Sequence, residues 1–376
     1  MSGPSRETRR WIARVVCVAL VLGVAALQRD TAARRLQVDE DEPLYLRLAF
    51  RYRGMIETGN LTRIVEFEEN REHPPLGKAL YALPLLASSP PEPDWSTLAP
   101  RDPIAGPARP ALLATRRLSV AAGALQCLAV ALVHPIAGLL LADHMYHIKY
   151  TSEVYLEAIP GLLAILAALL LERATRARGV DDTNTPRLAL LAASAAIMGL
   201  AVSCKYVYGL VGLVLVPSLL SARKAGWRGA MAFVVIASLV FLAADPVLWH
   251  DSAGRLWRSL TFHWGFASRL EAPLPWWTPI GHLLHIGPET WHIPVPSTGF
   301  ADRLLVPLAL FGLPWAWKRR PIWTAWAVLG LAFLLAWPTK WAQYILVALP
   351  PMAVCAAIGL EEAGRLWVSA WKAFRT

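Results

Sequence analysis

The chain has 376 residues, 56% of them hydrophobic, with 17 tryptophans and a formal net charge of +10. A soluble domain of that size would bury one core behind alternating polar faces, whereas here uncharged apolar runs recur from end to end. The positive charge does not point to nucleic acid, because no basic stripe continues across a surface.

Lipid tolerates only a backbone that satisfies its own hydrogen bonds, so the apolar runs are predicted to be helices of an all-α integral membrane protein. The basic residues cluster between the runs: Arg6, Arg9 and Arg10; Arg173, Arg176 and Arg178; Arg223, Lys224 and Arg228; Lys318, Arg319 and Arg320. That is the positive-inside pattern. Cys17, Cys127, Cys204 and Cys355 each sit in an apolar run without CxxC spacing, so no disulfide or zinc framework is expected. No stretch reads as a separate soluble domain, and 1–376 is expected to be one transmembrane unit.

The first run, 11–27, follows a basic tail and is nearly long enough to span. Val24-Ala25-Ala26 loosely resembles a signal-peptide cleavage site, but an uncleaved anchor with a cytoplasmic amino terminus is preferred. A charged stretch, 28–72, is expected to be a first outer loop. It leads through Pro74-Pro75 into a short apolar segment ending near Ser88, then a Pro-rich linker over 89–110. Further runs are expected at 118–133, 135–145, 155–171, 188–204, 207–220, 230–244, 304–317, 322–337 and 342–360, with a second large outer loop at 245–303. About nine to eleven membrane helices follow from these lengths.

Placing the basic loops inside puts 28–72, Glu153, Glu157, Lys205, 245–303 and Lys340 on the outer side. Parity leaves one ambiguity. Between His73 and Glu153 the chain must cross an even number of times, yet three apolar segments lie there. One short segment lies in the interface, or 118–142 forms one long helix.

The outer face gathers the chemically useful groups. The first loop opens with Asp39-Glu40-Asp41-Glu42-Pro43-Leu44-Tyr45 and closes with Glu72-His73-Pro74-Pro75-Leu76-Gly77-Lys78. An acidic cluster alone is more often a solvated turn, and Pro-Pro can simply start a helix. Glu157 begins one run, Lys205 ends another and Lys340 precedes the last. A single terminal lysine more often snorkels to the headgroups. These two, however, lie where positive-inside statistics make lysine scarce, which favours binding of an anion. His263, His282, His285 and His292 stand among Trp276, Trp277 and Trp291. An interfacial aromatic belt is the plainer account of them, ahead of sugar contacts.

Asp41-Glu42-x-x-Tyr45 followed by Glu72-His73-Pro74-Pro75-Leu76-Gly77-Lys78 resembles the signature of GT-C membrane glycosyltransferases. Within them it is similar to glycosyltransferase family 39, the protein O-mannosyltransferases and lipid A aminoarabinose transferases. Gly199–Lys205 resembles a helix end of that family, and Lys340-x-x-x-Tyr344 with Pro350-Pro351 its late segment. The likeness covers about residues 10–360. Three departures stand out. Two Asp-Glu pairs are present, and only Tyr45 selects Asp41-Glu42. Glu157 occupies a position where the family commonly has Asp. No large soluble carboxy-terminal domain follows the last run, so the acceptor is not carried over.

The resemblance implies a donor sugar on a polyprenyl phosphate, its tail in the bilayer and its phosphate at the interface. Displacement at the anomeric carbon needs a base for the acceptor hydroxyl and positive charge for the departing phosphate. Asp41 is the expected base, with Glu42 orienting it or the acceptor. Lys205 and Lys340 are expected to hold the phosphate. His73 and Lys78 shape the pocket, Tyr45 and Tyr344 line the sugar site, and Glu157 is a second carboxylate. Asp39, outside the frame set by Tyr45, is expected to tolerate substitution. The acceptor is a protein, lipid or polysaccharide. No cofactor is called for, and a divalent metal stays open. A transporter or lipid flippase without transferase activity is the alternative, disfavoured because no internal repeat is visible and the charges gather at one face.

Overall fold

Ser5 starts the first helix by accepting a hydrogen bond from the Thr8 amide at 3.2 Å. In the computed structural model this helix, α1, runs over Arg6–Arg35, past the end of the apolar run at residue 27. Its extension into charged sequence is possible because Arg29 is fully buried yet satisfied. Arg29 donates to Thr151 Oγ1 at 2.9 Å and to the carbonyl of Ala142 at 3.4 Å, and it meets His147. The structure describes residues 5–67, 69–104, 106–175, 185–221, 226–269, 274–284 and 297–375. Every regular element among them is helical.

The expected first loop is also largely helical. After the corner at 36–41 come α2 (Glu42–Glu57), with Pro43 in its first turn, and α3 (Leu61–Glu66), capped by the Asn60 side chain. Pro74 and Pro75 then open α4 (Pro75–Ser88). Next come α5 (Arg109–Val133), α6 (Pro135–Asp143) and α7 (Met145–Tyr150).

These elements resolve the parity question. Near the start of α5, Arg116 donates to the carbonyls of Ala33 and Leu36 at 2.8 and 2.9 Å. Near its end, the Leu132 carbonyl accepts from Arg14 at 2.8 Å. Helix α5 is therefore antiparallel to α1. Helix α6 returns, since its last carbonyls meet Arg29. The segment 75–108 begins and ends at one end of the bundle. The Tyr81 hydroxyl of α4 bonds Ser119 at 2.7 Å, and the linker comes back to Val38, whose amide donates to Asp102 O at 2.9 Å. The short apolar segment begins and ends on one side, while α5 leads to the opposite end of the bundle and α6 followed by α7 leads back.

The rest of the bundle comprises α8 (Ala158–Thr175), α9 (Thr185–Cys204), α10 (Gly209–Leu220) and α11 (Gly226–Ala244). Then follow α12 (Ser252–Ala267), α13 (Thr278–Leu284), α14 (Phe300–Arg319), α15 (Pro321–Ala336) and α16 (Leu349–Arg375). Four helices among the described residues, α1, α5, α8 and α11, are long and apolar enough to cross a membrane, and three shorter apolar helices accompany them. On α11, Val234, Val235 and Leu239 stay exposed, as expected for a lipid-facing surface. Helices α14 and α16 cross on glycine. A Cβ on Gly312 would lie 2.2 Å from the Cys355 carbonyl, and one on Gly359 would lie 2.3 Å from that of Leu308.

The two ends of the bundle differ in chemistry. At one end Arg320 pairs with Glu172 at 2.9 Å and His134 bonds Glu361 at 2.8 Å. The acidic run, Glu157, Lys205, Asp245 and Lys340 all gather at the other.

Candidate active site

The acidic run sits in the corner between α1 and α2, and its four carboxylates have four different surroundings. Glu42 is fully buried. It accepts from Arg116 Nε at 2.8 Å and a second time from that guanidinium. The amides of Val154 and Asp39 complete its shell at 2.7 and 2.9 Å. Asp39 is buried too, ion-paired with Lys149 and bonded by the Tyr155 hydroxyl. Lys149 in turn holds Glu153 at 2.7 Å. Glu40 is exposed, 3.7 Å from Arg101.

The Asp41 side chain has no hydrogen bond or ion pair among the described residues, although Asp41 is the N-cap of α2, its carbonyl accepting from the Tyr45 amide at 3.0 Å, and is partly buried. Burial raises its pKa to about 6, helped by the charges of Asp39 and Glu157 and opposed by Lys205. A carboxylate free of partners and titrating near neutrality is suited to taking a proton. Glu42, by contrast, is closed off from any acceptor and acts by fixing the corner.

A second constellation forms where α8 begins and α9 ends. Glu157 and Lys205 make a buried ion pair, with Lys205 Nζ 5.1 Å from the ring centre of Tyr344. The second carboxylate oxygen of Glu157 has no partner. Tyr45, on the first turn of α2, lies 6.3 Å from His73, and His73 lies 6.1 Å from His263 of α12. Burial holds His73 well below the usual histidine range and His263 at about 4, with Lys205 pushing both the same way. That direction favours the neutral imidazole at both positions.

His73, Lys205, His263 and Tyr344 border a groove of about 230 Å³, whose lining does not include Asp41, Glu42, Tyr45, Lys78 or Glu157. Glu72, His73, Lys205 and His263 supply its polar part, while Leu210, Leu213, Phe333 and Trp337 supply apolar wall. Leu213 is 65% exposed on the surface of α10, so the apolar wall continues to the outside of the bundle. An amphiphile with an anionic head and an apolar tail suits such a groove.

Two of the expected phosphate and pocket residues have their ammonium groups bonded to backbone carbonyls. Lys340 donates to the carbonyls of Leu334 and Leu335 at 3.1 and 2.7 Å, closing the carboxy end of α15 as a cationic cap. It is not among the residues lining the groove. Lys78 donates to the carbonyls of Asn70 and His73, both at 2.8 Å, and so fixes the turn that carries His73. His282 bonds the Lys340 carbonyl at 3.2 Å, and Trp276 and Trp277 are exposed. His285, Trp291 and His292 lie outside the described residues. Among the described residues, no group of three or more His, Cys, Asp or Glu is placed to hold a metal ion.

Sequence reasoning passed over Arg116, Lys149 and Tyr155, which hold the acidic corner, and assigned His263 to a belt. The available signal was the one applied to Lys205, a cation at the end of the bundle where cations are scarce.

Solved structures share this arrangement of helices. ArnT from Cupriavidus metallidurans bound to undecaprenyl phosphate matches with a TM-score of 0.62 at 18% identity, covering 93% of this chain and 60% of that one. Its apo state matches at 0.61 and 17% identity, covering 96% and 62%. The chain has the GT-C fold. The apo Archaeoglobus fulgidus oligosaccharyltransferase matches at 0.53 and 12% identity, covering 95% of this chain and 52% of that one. The GT-C chain described here thus spans 60% of the length of the ArnT it resembles. No protein-family model and no curated protein matches the sequence.

Proposed function

We propose that this GT-C chain is a glycosyltransferase that moves a sugar from a polyprenyl-phosphate donor to an acceptor hydroxyl. One juxtaposition carries the reading: the unpartnered Asp41 carboxylate lies within electrostatic range of Lys205, which helps line a groove with an apolar wall. The undecaprenyl phosphate bound by the similar ArnT is a ligand of that chemistry. In this mechanism the acceptor oxygen attacks the anomeric carbon as the bond from that carbon to the phosphate oxygen breaks. Asp41 takes the hydroxyl proton, and the phosphate leaves with the electron pair beside Lys205. A single displacement of this kind inverts the anomeric centre.

Lys205 and Lys340 separate in this account. Lys205→Ala should weaken binding of polyprenyl phosphate about 10- to 100-fold, the range for a hydrogen bond to a charged group. Lys340→Ala should leave binding intact and lower the melting temperature slightly, because a C-terminal cap contributes roughly 0.3–1 kcal/mol. Thermal shift of the purified protein titrated with polyprenyl phosphate reads both. Equal losses in the two variants would restore a two-lysine clamp. No loss in either would remove the phosphate site from Lys205.

The site is assigned to the non-cytoplasmic face because the opposite end carries Arg173, Lys318, Arg319 and Arg320. Glu40 is exposed, so Glu40→Cys in a chain lacking the four native cysteines should react with an impermeant thiol reagent on intact cells. Labelling only after lysis would reverse the orientation.

A further inference from the structure

Asp245 follows the last residue of α11 and is fully buried. One carboxylate oxygen accepts from the Tyr206 hydroxyl at 3.0 Å; burial raises the pKa of the group to about 6, opposed by that hydroxyl, Lys78 and the Val247 amide. The other oxygen, Oδ1, has no hydrogen-bond partner among the described residues. A buried acceptor left open costs free energy unless something fills it. Asp245 lines a small pocket that shares His73, Tyr206 and Ser259 with the groove. Its free volume is about 20 Å³, room for one water-sized group.

The pocket also has four cations in its lining, three of them committed elsewhere. Lys78 holds the carbonyls of Asn70 and His73. Arg255 donates to the carbonyls of Val65 and Val247. Arg258 pairs with Asp251 at 3.2 Å, and Arg71 is exposed. What the pocket offers a ligand is therefore an acceptor oxygen. A phosphate would set its own oxygens against that carboxylate, whereas a neutral hydroxyl supplies the missing proton and matches the size.

We propose that Asp245 binds substrate, its Oδ1 accepting a hydrogen bond from one hydroxyl of a neutral carbohydrate held beside the groove. The inference rests on the donor reading above and adds to it the class of group recognised. Asp41 and Asp245 then divide the work, one taking a proton and the other selecting a hydroxyl. The hydroxyl belongs either to the sugar carried by the donor or to a carbohydrate acceptor, and the two sources give different results below.

The probes are polyprenyl phosphate, polyprenyl-phosphate-linked hexose, its four singly deoxygenated analogues, and an alkyl glucoside added after polyprenyl phosphate is bound. If the hydroxyl is the donor's, wild type binds one deoxy analogue about 10- to 100-fold more weakly than the parent, as for a lost hydrogen bond to a charged group. Asp245→Ala then binds the parent and that analogue alike, while its affinity for polyprenyl phosphate is unchanged. If the hydroxyl is the acceptor's, the variant weakens only the alkyl glucoside. Should Asp245→Ala misfold, Asp245→Leu decides the matter, since it is close in size and has no polar atom to meet a hydroxyl. An unchanged preference for every sugar-bearing probe would overturn the proposal and leave Oδ1 to a structural water. Failure of wild type to bind polyprenyl phosphate would instead sink the donor reading itself.

Discussion

Asp41→Asn is expected to lower sugar transfer about 10²–10⁴-fold, the usual worth of a positioned general base, while the protein stays folded. The carboxyl group makes no protein hydrogen bond that the amide would lose. Its pKa of about 6 fixes the sign of the pH dependence. The base works ionised, so wild-type turnover should fall as pH drops through about 6, and the residual rate of the Asn variant should lack that acid limb. Turnover measured from pH 5 to 8 at saturating donor reads both effects. A variant with wild-type turnover would remove Asp41 from the chemistry and make Glu157 the next carboxylate to replace. Asp39→Asn should behave differently from the expectation that it is dispensable. Asp39 is buried against Lys149 and Tyr155, so its loss should show first as instability and only then as reduced rate.

Arg116→Met should be among the most destabilising single substitutions in the chain, by about 3–5 kcal/mol, because it strands the Glu42 carboxylate in the interior. The same guanidinium also holds the carbonyls of Ala33, Leu36 and Gln37, so the corner that carries Asp41 should loosen as well. Adding Glu42→Leu to Arg116→Met should recover part of the loss, since an apolar pair of similar volume avoids the stranded charge. Melting temperatures of the purified variants in detergent test this. If the double variant is less stable than Arg116→Met alone, leaving the Val154 and Asp39 amides without Glu42 costs more than the stranded carboxylate.

Much of this molecule could be read from residue order because membrane helices and terminal charges are local signals. The apolar runs and the shared end of Glu157, Lys205 and Lys340 depend on near neighbours, and the proposal of Asp41 through Tyr45 uses the same kind of signal. What could not be read depends on distant partners. Glu42 and Arg116 are 74 positions apart, and Asp39 and Lys149 are 110 apart. Nothing near Asp39 or Glu42 distinguishes an internal ion pair from a solvated turn. Lys340 was legible as a cation at a helix boundary, but the direction of its ammonium, toward the carbonyls of α15, is a property of the fold. The helical course of 28–35 was hidden because Arg29 breaks the hydropathy pattern, and its partners on α6 and α7 come far later in the chain. Asp245 lay at the edge of a predicted loop, and its significance rests on burial and on one open oxygen.

The central claim is that a sugar leaves a polyprenyl phosphate at the Asp41 end of the bundle. Its most direct measurement uses purified protein in vesicles with polyprenyl phosphates carrying radiolabelled hexoses or pentoses, and a membrane extract as the source of acceptor. Label should pass from one of these lipids into the acceptor fraction with wild type, and far more slowly with Asp41→Asn. Movement of a donor across the bilayer with its sugar still attached, equally fast in both proteins and with no transfer, would contradict the account and identify a transporter.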